Sequence, residues 1–222
     1  MERILQARYP QKKITVINTG ICGSDPIFGF KIYDSLMYKF SPDVVIQSFA
    51  KQDFFEDIAF RGGFERFSAD GILSSPEPFK YEHLFKLSFL SRIYFTGLCG
   101  YNMFFLNKNI LIQKTAYFKN VACMLAHKWD EKIKKDKFKM YFVSRPDPGE
   151  IIQKKYDPSY QGIYQSLKDC SALAKVVDLL PFYNDSIKMQ DNIHKYFWEK
   201  DGHHSARGYY EMARGTADAI EL

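Results

Sequence analysis

The chain has 222 residues, 46% of them hydrophobic and 26% charged, a composition that excludes intrinsic disorder and suits one fairly large globular domain. Its formal charge of +5 is small and its basic residues are scattered, so without a basic stripe, RNP-like motif or zinc module no nucleic-acid partner is expected. The most apolar stretch, Phe85 to Leu106, is broken by Lys86, Arg92, Gly97 and Gly100 and falls short of a transmembrane span.

In chain order, residues 2–8 read as a helix closed by Tyr9-Pro10. The β-branched run Lys13 to Asn18 (KITVIN) predicts a strand, and Thr19 to Pro26 a glycine-rich loop. Ile27, Phe30, Tyr33, Leu36, Met37 and Phe40 recur at helical spacing, predicting an amphipathic helix over 27–40. Val44-Val45-Ile46 then opens a second strand. Strand, helix and strand in such close succession form a βαβ unit, which implies a parallel sheet with a right-handed crossover.

An irregular section follows to Pro78, where Arg61-Gly62-Gly63 with Glu65-Arg66 reads as a surface turn, the alternative being a loop over a site. A mostly helical insertion is expected at about 79–136, its aromatic part packing as core or forming a cap. Met140 to Ser144 is the third strand, ended by Arg145-Pro-Asp-Pro-Gly149. Helices are expected at 149–155 and 160–174, a fourth strand at Val176–Leu180, and a last helix from Ser205 to Leu222. With no repeat or linker, residues 1–222 read as one α/β domain.

Cys22, Cys99, Cys123 and Cys170 are widely spaced, so buried free thiols are expected rather than a zinc site or disulfide framework. The first residues carry no apolar h-region, so no signal peptide is expected in this chain, and cytoplasm and cell envelope both stay open. H-E-x-x-H, P-loop and dinucleotide fingerprints are absent, and His83, His127 and His194 have no ligand spacing. No metal and no cofactor is expected.

Chemistry concentrates in three segments. The first, Asn18 to Pro26, contains Gly23, where a missing Cβ lets a backbone N–H approach an oxyanion. The second, Gln47 to Asp53, follows the second strand and contains Gln52. The third, Asp201-Gly202-His203-His204-Ser205, precedes the last helix. An aspartate two residues ahead of a histidine suits a general base whose tautomer a carboxylate fixes. Plainer roles stand beside these: Asp201 as a helix cap, Gly23 as a turn glycine, Gln52-Asp53 as a strand exit.

The order and location of these segments resemble the SGNH/GDSL hydrolase family of esterases, lipases and carbohydrate deacetylases. The resemblance implies a flavodoxin-like three-layer α/β/α sandwich with a parallel sheet. It implies His203 as base, Asp201 as its orienting acid, and Gly23 with Gln52 as oxyanion donors. Gln52 stands where the family has asparagine, and its extra methylene displaces the donor by about 1 Å, when losing one such donor costs roughly 10²–10³ in rate. The family's D-x-x-H spacing would select His204 as the base. His203 is preferred because Gly208 then matches the glycine of the family's H-x-N-x-x-G pattern, with Ser205 in place of its asparagine.

The family's nucleophilic serine, in a Gly-Asp-Ser motif after the first, central strand, has no counterpart and would lie upstream of Met1. Asp34-Ser35-Leu36 imitates the motif inside a predicted helix. Ser24 is a weak candidate, for which capping of the next helix, by it or Asp25, is the plainer use. In a flavodoxin-like sheet the missing strand would lie between Lys13–Asn18 and Val44–Ser48, leaving two strand edges unpaired. The expectation is an ester hydrolase acting on an acyl or acetyl ester of a small molecule or glycan. An inactive SGNH-like binding module and an O-acyltransferase are the alternatives. Oligomeric state is not legible.

Overall fold

A computed structural model describes residues 1–21, 24–58, 63–67, 108–200 and 202–222, with backbone only for residues 56–57 and 108–114. Val44–Phe49 (β1), Lys139–Ser144 (β2) and Lys175–Asp178 (β3) pair as a parallel sheet in the order β1-β2-β3. Helices flank it: Glu2–Arg8 (α1), Pro26–Ser35 (α2), Lys108–Asp136 (α3), Pro148–Gln153 (α4), Pro158–Cys170 (α5) and Ala206–Ala219 (α6). The predicted third and fourth strands are thus β2 and β3, each within a residue or two of its expected ends.

Register explains what each face of the sheet meets. Gln47 pairs with Phe142 and Phe49 with Ser144, so these four share one face. There Phe49 packs on Tyr160 of α5, with ring centroids 6.0 Å apart, and Gln47 reaches α2 and α3. Ile46 and Tyr141 share the opposite face. The Tyr141 hydroxyl accepts from the Glu221 backbone N–H at 3.1 Å, bringing the end of the chain against it.

Local chemistry starts the helices. Asp25 caps α2 by accepting from Ile27 N at 2.9 Å and Phe28 N at 3.1 Å, with Pro26 pre-set for the first turn. The helix then buries Ile27, Phe30 and Tyr33 and ends at Ser35, short of the predicted 40, where Met37–Phe40 tightens into a 3₁₀ turn. Along α3, Phe118, Val121, Ala122, Leu125, Ala126 and Trp129 form one buried stripe at helical spacing. Trp129 meets Phe30 edge-on at 5.2 Å, and its indole N–H donates to Gln47 Oε1 at 2.9 Å. The other end of that amide donates to the Pro26 carbonyl at 2.6 Å. One buried glutamine therefore ties β1 to α2 and α3 with both polar atoms satisfied.

The structure overturns three expectations. Lys13–Asn18 is no strand: its backbone is irregular, and Ile17 is 51% exposed. Ile14 N donates to Gln6 Oε1 at 3.2 Å and Val16 N to Glu2 Oε2 at 2.7 Å, so side chains of α1 stand in for a neighbouring strand. Strand propensity measures fit to a pleated, half-buried surface, and no such surface is offered here. Among the described residues β1 pairs with β2 alone, and its other edge pairs with nothing.

The free-thiol reading also fails for two cysteines, because Cys123 and Cys170 form a disulfide with a Cα–Cα distance of 5.1 Å. Their separation of 47 residues hides a proximity created by the packing of α3 along α5. Finally, the surface-turn reading fails at Arg66, which is 8% exposed and pairs with Asp25 at 2.6 Å. Residues 79–107 of the expected insertion, with Arg61 and Gly62, lie outside the described residues. No described helix is long and apolar enough to cross a membrane.

Candidate functional site

In an open parallel sheet, ligands bind beyond the carboxyl ends of the strands. Three segments meet that description here: Ala50–Asp53 after β1, Arg145 after β2, and the loop leading into α6. After β1, Asp53 folds the exit into a tight turn, its Oδ2 accepting from Ala50 N at 2.7 Å. Gln52 stands half-buried on that turn. Beside β2, Lys51 and Asp147 pair at 2.9 Å, and Asp147 forms a capping box with Glu150 at the start of α4.

The loop into α6 is held by its own backbone. Trp198 N donates to the His203 carbonyl at 2.8 Å, and Ser205 N to that of Tyr196 at 2.8 Å. Gly202 takes φ +68°, a conformation glycine adopts without strain. Ser205 caps α6 by accepting from Gly208 N at 3.2 Å, while its hydroxyl donates to the Lys195 carbonyl at 2.6 Å. A Cβ at Gly208 would run into the Tyr196 carbonyl oxygen, so a glycine is needed where helix and loop cross.

This loop separates the two histidines. His203 is exposed to solvent. His204 is 2% exposed and packs on Phe197, with ring centroids 4.2 Å apart, and on Tyr209 at 5.3 Å. Its Nδ1 lies 3.5 Å from Arg145 Nη1. Burial, then the charge of Arg145 and then His203, push the His204 pKa down to about 3. So depressed a ring is a poor proton acceptor near neutral pH.

That depression makes a prediction about stability. The unfolded chain binds a proton near the ordinary value of 6.5 while the folded ring stays neutral. The contribution of His204 is therefore fully present above pH 6.5 and is lost as pH falls toward 3, by roughly 1.4 kcal/mol per pH unit. His204→Gln, which cannot titrate, should flatten the acid side of stability measured by urea unfolding. Equal slopes in the two proteins would mean that the ring titrates normally.

Of the other candidates, Gly23 and Asp201 lie outside the described residues. Ser24 is half-buried, donating its N–H to the Ile21 carbonyl at 3.1 Å, and the helix cap falls to Asp25. Ser35 is an ordinary helix residue, its hydroxyl bonded to the Lys31 carbonyl at 2.7 Å. Among the described residues no group of His, Cys, Asp or Glu is arranged to hold a metal ion. The sequence marks Arg145 only as the end of a strand and not as a site residue, although it is the first residue beyond the central strand, the same station as the Gln52 turn. No protein-family model matches the chain, and no match was found among curated proteins or solved structures.

Proposed function

We propose that the chain belongs to an SGNH/GDSL-type hydrolase of carboxylic esters, a flavodoxin-like α/β/α sandwich whose nucleophilic serine lies on a strand upstream of these 222 residues. The observation that carries the reading is the edge of β1 that pairs with nothing among the described residues. On that strand Ile46 is 36% exposed and Ser48 is exposed, although both point to a sheet face. A β-prone segment, Lys13–Asn18, pairs with no strand among the described residues. An apolar strand with an open edge and an uncovered face leaves backbone donors and acceptors without partners. One further parallel strand beside β1 would satisfy that edge, and its carboxyl end would arrive beside the Gln52 turn.

In this reading the serine hydroxyl attacks the acyl carbon while His203 takes its proton. The tetrahedral intermediate collapses, His203 passes a proton to the leaving alcohol, and water then releases the acid from the acyl-enzyme. Asp201 orients His203. Gly23 N–H, the Gln52 amide and the serine's own N–H hold the oxyanion.

The test is to express the reading frame extended upstream and treat it with a fluorophosphonate probe. The extended protein should be labelled on a Gly-Asp-Ser serine, and His203→Ala should lower hydrolysis of p-nitrophenyl acetate by about 10²–10⁴. Labelling of Ser24 in the 222-residue chain would overturn the proposal. Gln52 in place of asparagine favours a second reading, an inactive module that binds glycan or a protein partner. A serine-bearing extended protein that neither labels nor turns over would select it.

A further inference from the structure

Among the described residues three arginines are drawn away from solvent: Arg66, Arg145 and Arg214. Two of them face carboxylates. Arg66 Nη2 lies 2.6 Å from Asp25, and Arg214 Nε lies 3.2 Å from Glu211. No carboxylate oxygen of the described residues lies within 4 Å of the Arg145 guanidinium, so this cation is treated unlike its counterparts. Among the described residues its side chain has one hydrogen-bond partner, His204 Nδ1 at 3.5 Å, a long contact with a neutral ring. A half-buried guanidinium loses hydration, and such a contact returns little of it.

A second donor lies close by. Tyr183 is fully buried and its hydroxyl has no hydrogen-bond partner. Its ring neighbours His204, with centroids 6.3 Å apart, and the charge of Arg145 opposes the upward push of burial on its pKa. Among the described residues, a guanidinium without a carboxylate and a hydroxyl without an acceptor thus both neighbour His204. Arg145 stands at the carboxyl end of β2, the central strand, and Tyr183 follows the carboxyl end of β3, the side of a parallel sheet that takes ligands. Lys51 at the exit of β1 is committed to Asp147, and the carboxylates of Asp53 and Glu150 act on Tyr160 alongside Arg145, so the station carries no large surplus of positive charge. That suits a monoanion with two oxygens in a plane, which matches the guanidinium fork, better than a phosphate dianion.

We propose that Arg145, assisted by the Tyr183 hydroxyl, binds a carboxylate group of a ligand. In the esterase reading, on which only this clause rests, the substrate would be an ester that also bears a free carboxylate. The site itself does not depend on ester chemistry.

The test is a titration of the full 222-residue chain, followed by the NMR signals of arginine Nε–H groups at constant ionic strength. Sodium acetate should shift the Arg145 signal saturably, and acetamide, its neutral isostere, should not. Arg145→Gln should weaken acetate binding, read from shifts of neighbouring backbone amides, by about tenfold or more, as expected for loss of a charge-assisted bond. Tyr183→Phe should weaken it by a smaller factor. If Arg145→Gln fails to fold, the wild-type titration and Tyr183→Phe decide. A response that does not saturate, equal shifts with acetamide, or tighter binding of inorganic phosphate than of acetate would overturn the proposal. Because the readout is binding, failure of the esterase reading leaves this result unchanged, and the reverse also holds.

Discussion

Asp25→Ala is expected to lower the free energy of unfolding by about 3–5 kcal/mol, the usual cost of removing one partner of a buried ion pair. The Asp25 side chain is fully buried and that of Arg66 is 7% exposed, with 2.6 Å between them. The same carboxylate caps α2 through Ile27 N and Phe28 N. Alanine would leave the Arg66 charge buried and strip the first turn of its acceptor. The two losses can be separated. Asp25→Asn keeps a good capping oxygen and removes the charge, so it should retain roughly 1 kcal/mol that alanine loses. Urea unfolding of both variants beside wild type gives the answer, and a loss below 1 kcal/mol in the alanine variant would mean that the pair contributes little. The prediction also concerns the site, because Arg66 fastens the 63–67 segment to the residue after Ser24.

Breaking the Cys123–Cys170 bond should cost about 2–4 kcal/mol. The bond closes a loop of 47 residues between α3 and α5, and reopening it restores chain entropy to the unfolded state. Both cysteines are half-buried on helices that already pack together, so the folded state loses little when they separate. The double variant Cys123→Ala with Cys170→Ala should melt lower than wild type and stop responding to reductant, whereas wild type should shift on reduction. Peptide mapping without reductant should recover the 123–170 link. Its absence, with a melt indifferent to reductant, would sink the prediction. Disulfides persist in oxidising compartments, so the same mapping on protein from its native source would discriminate between the cytoplasm and the envelope.

Much of the local structure is legible in the sequence for identifiable reasons. Asp25-Pro26 starts a helix because an aspartate cap and a proline first turn act over three or four residues, and the helix begins there, while the helix expected from 160 begins two residues earlier at Pro158 on the same chemistry. The run Met140–Ser144 is a strand in sequence and in structure, its apolar residues buried between layers. The sequence marks segments after strands and before α6 as places where parallel sheets keep their chemistry; the Gln52 turn does follow β1, the Asn18–Pro26 segment follows no strand, and Gly23 and Asp201 lie outside what the structure describes.

What the sequence could not decide depends on neighbours brought together by the fold. Lys13–Asn18 has the composition of a strand and no partner strand among the described residues, and a strand exists only as half of a pair. Cys123 and Cys170 become neighbours through helix packing, which no spacing rule encodes. His203 and His204 are adjacent letters, yet a turn of backbone leaves one in water and sinks the other against Phe197 and Arg145. Arg66 and Arg145 look alike in the sequence, and only the tertiary structure gives the first a carboxylate partner and, among the described residues, none to the second. Capping and turn chemistry are short-ranged and therefore written locally. Burial, pairing and charge compensation are properties of the packed whole, so the tertiary structure alone settles them.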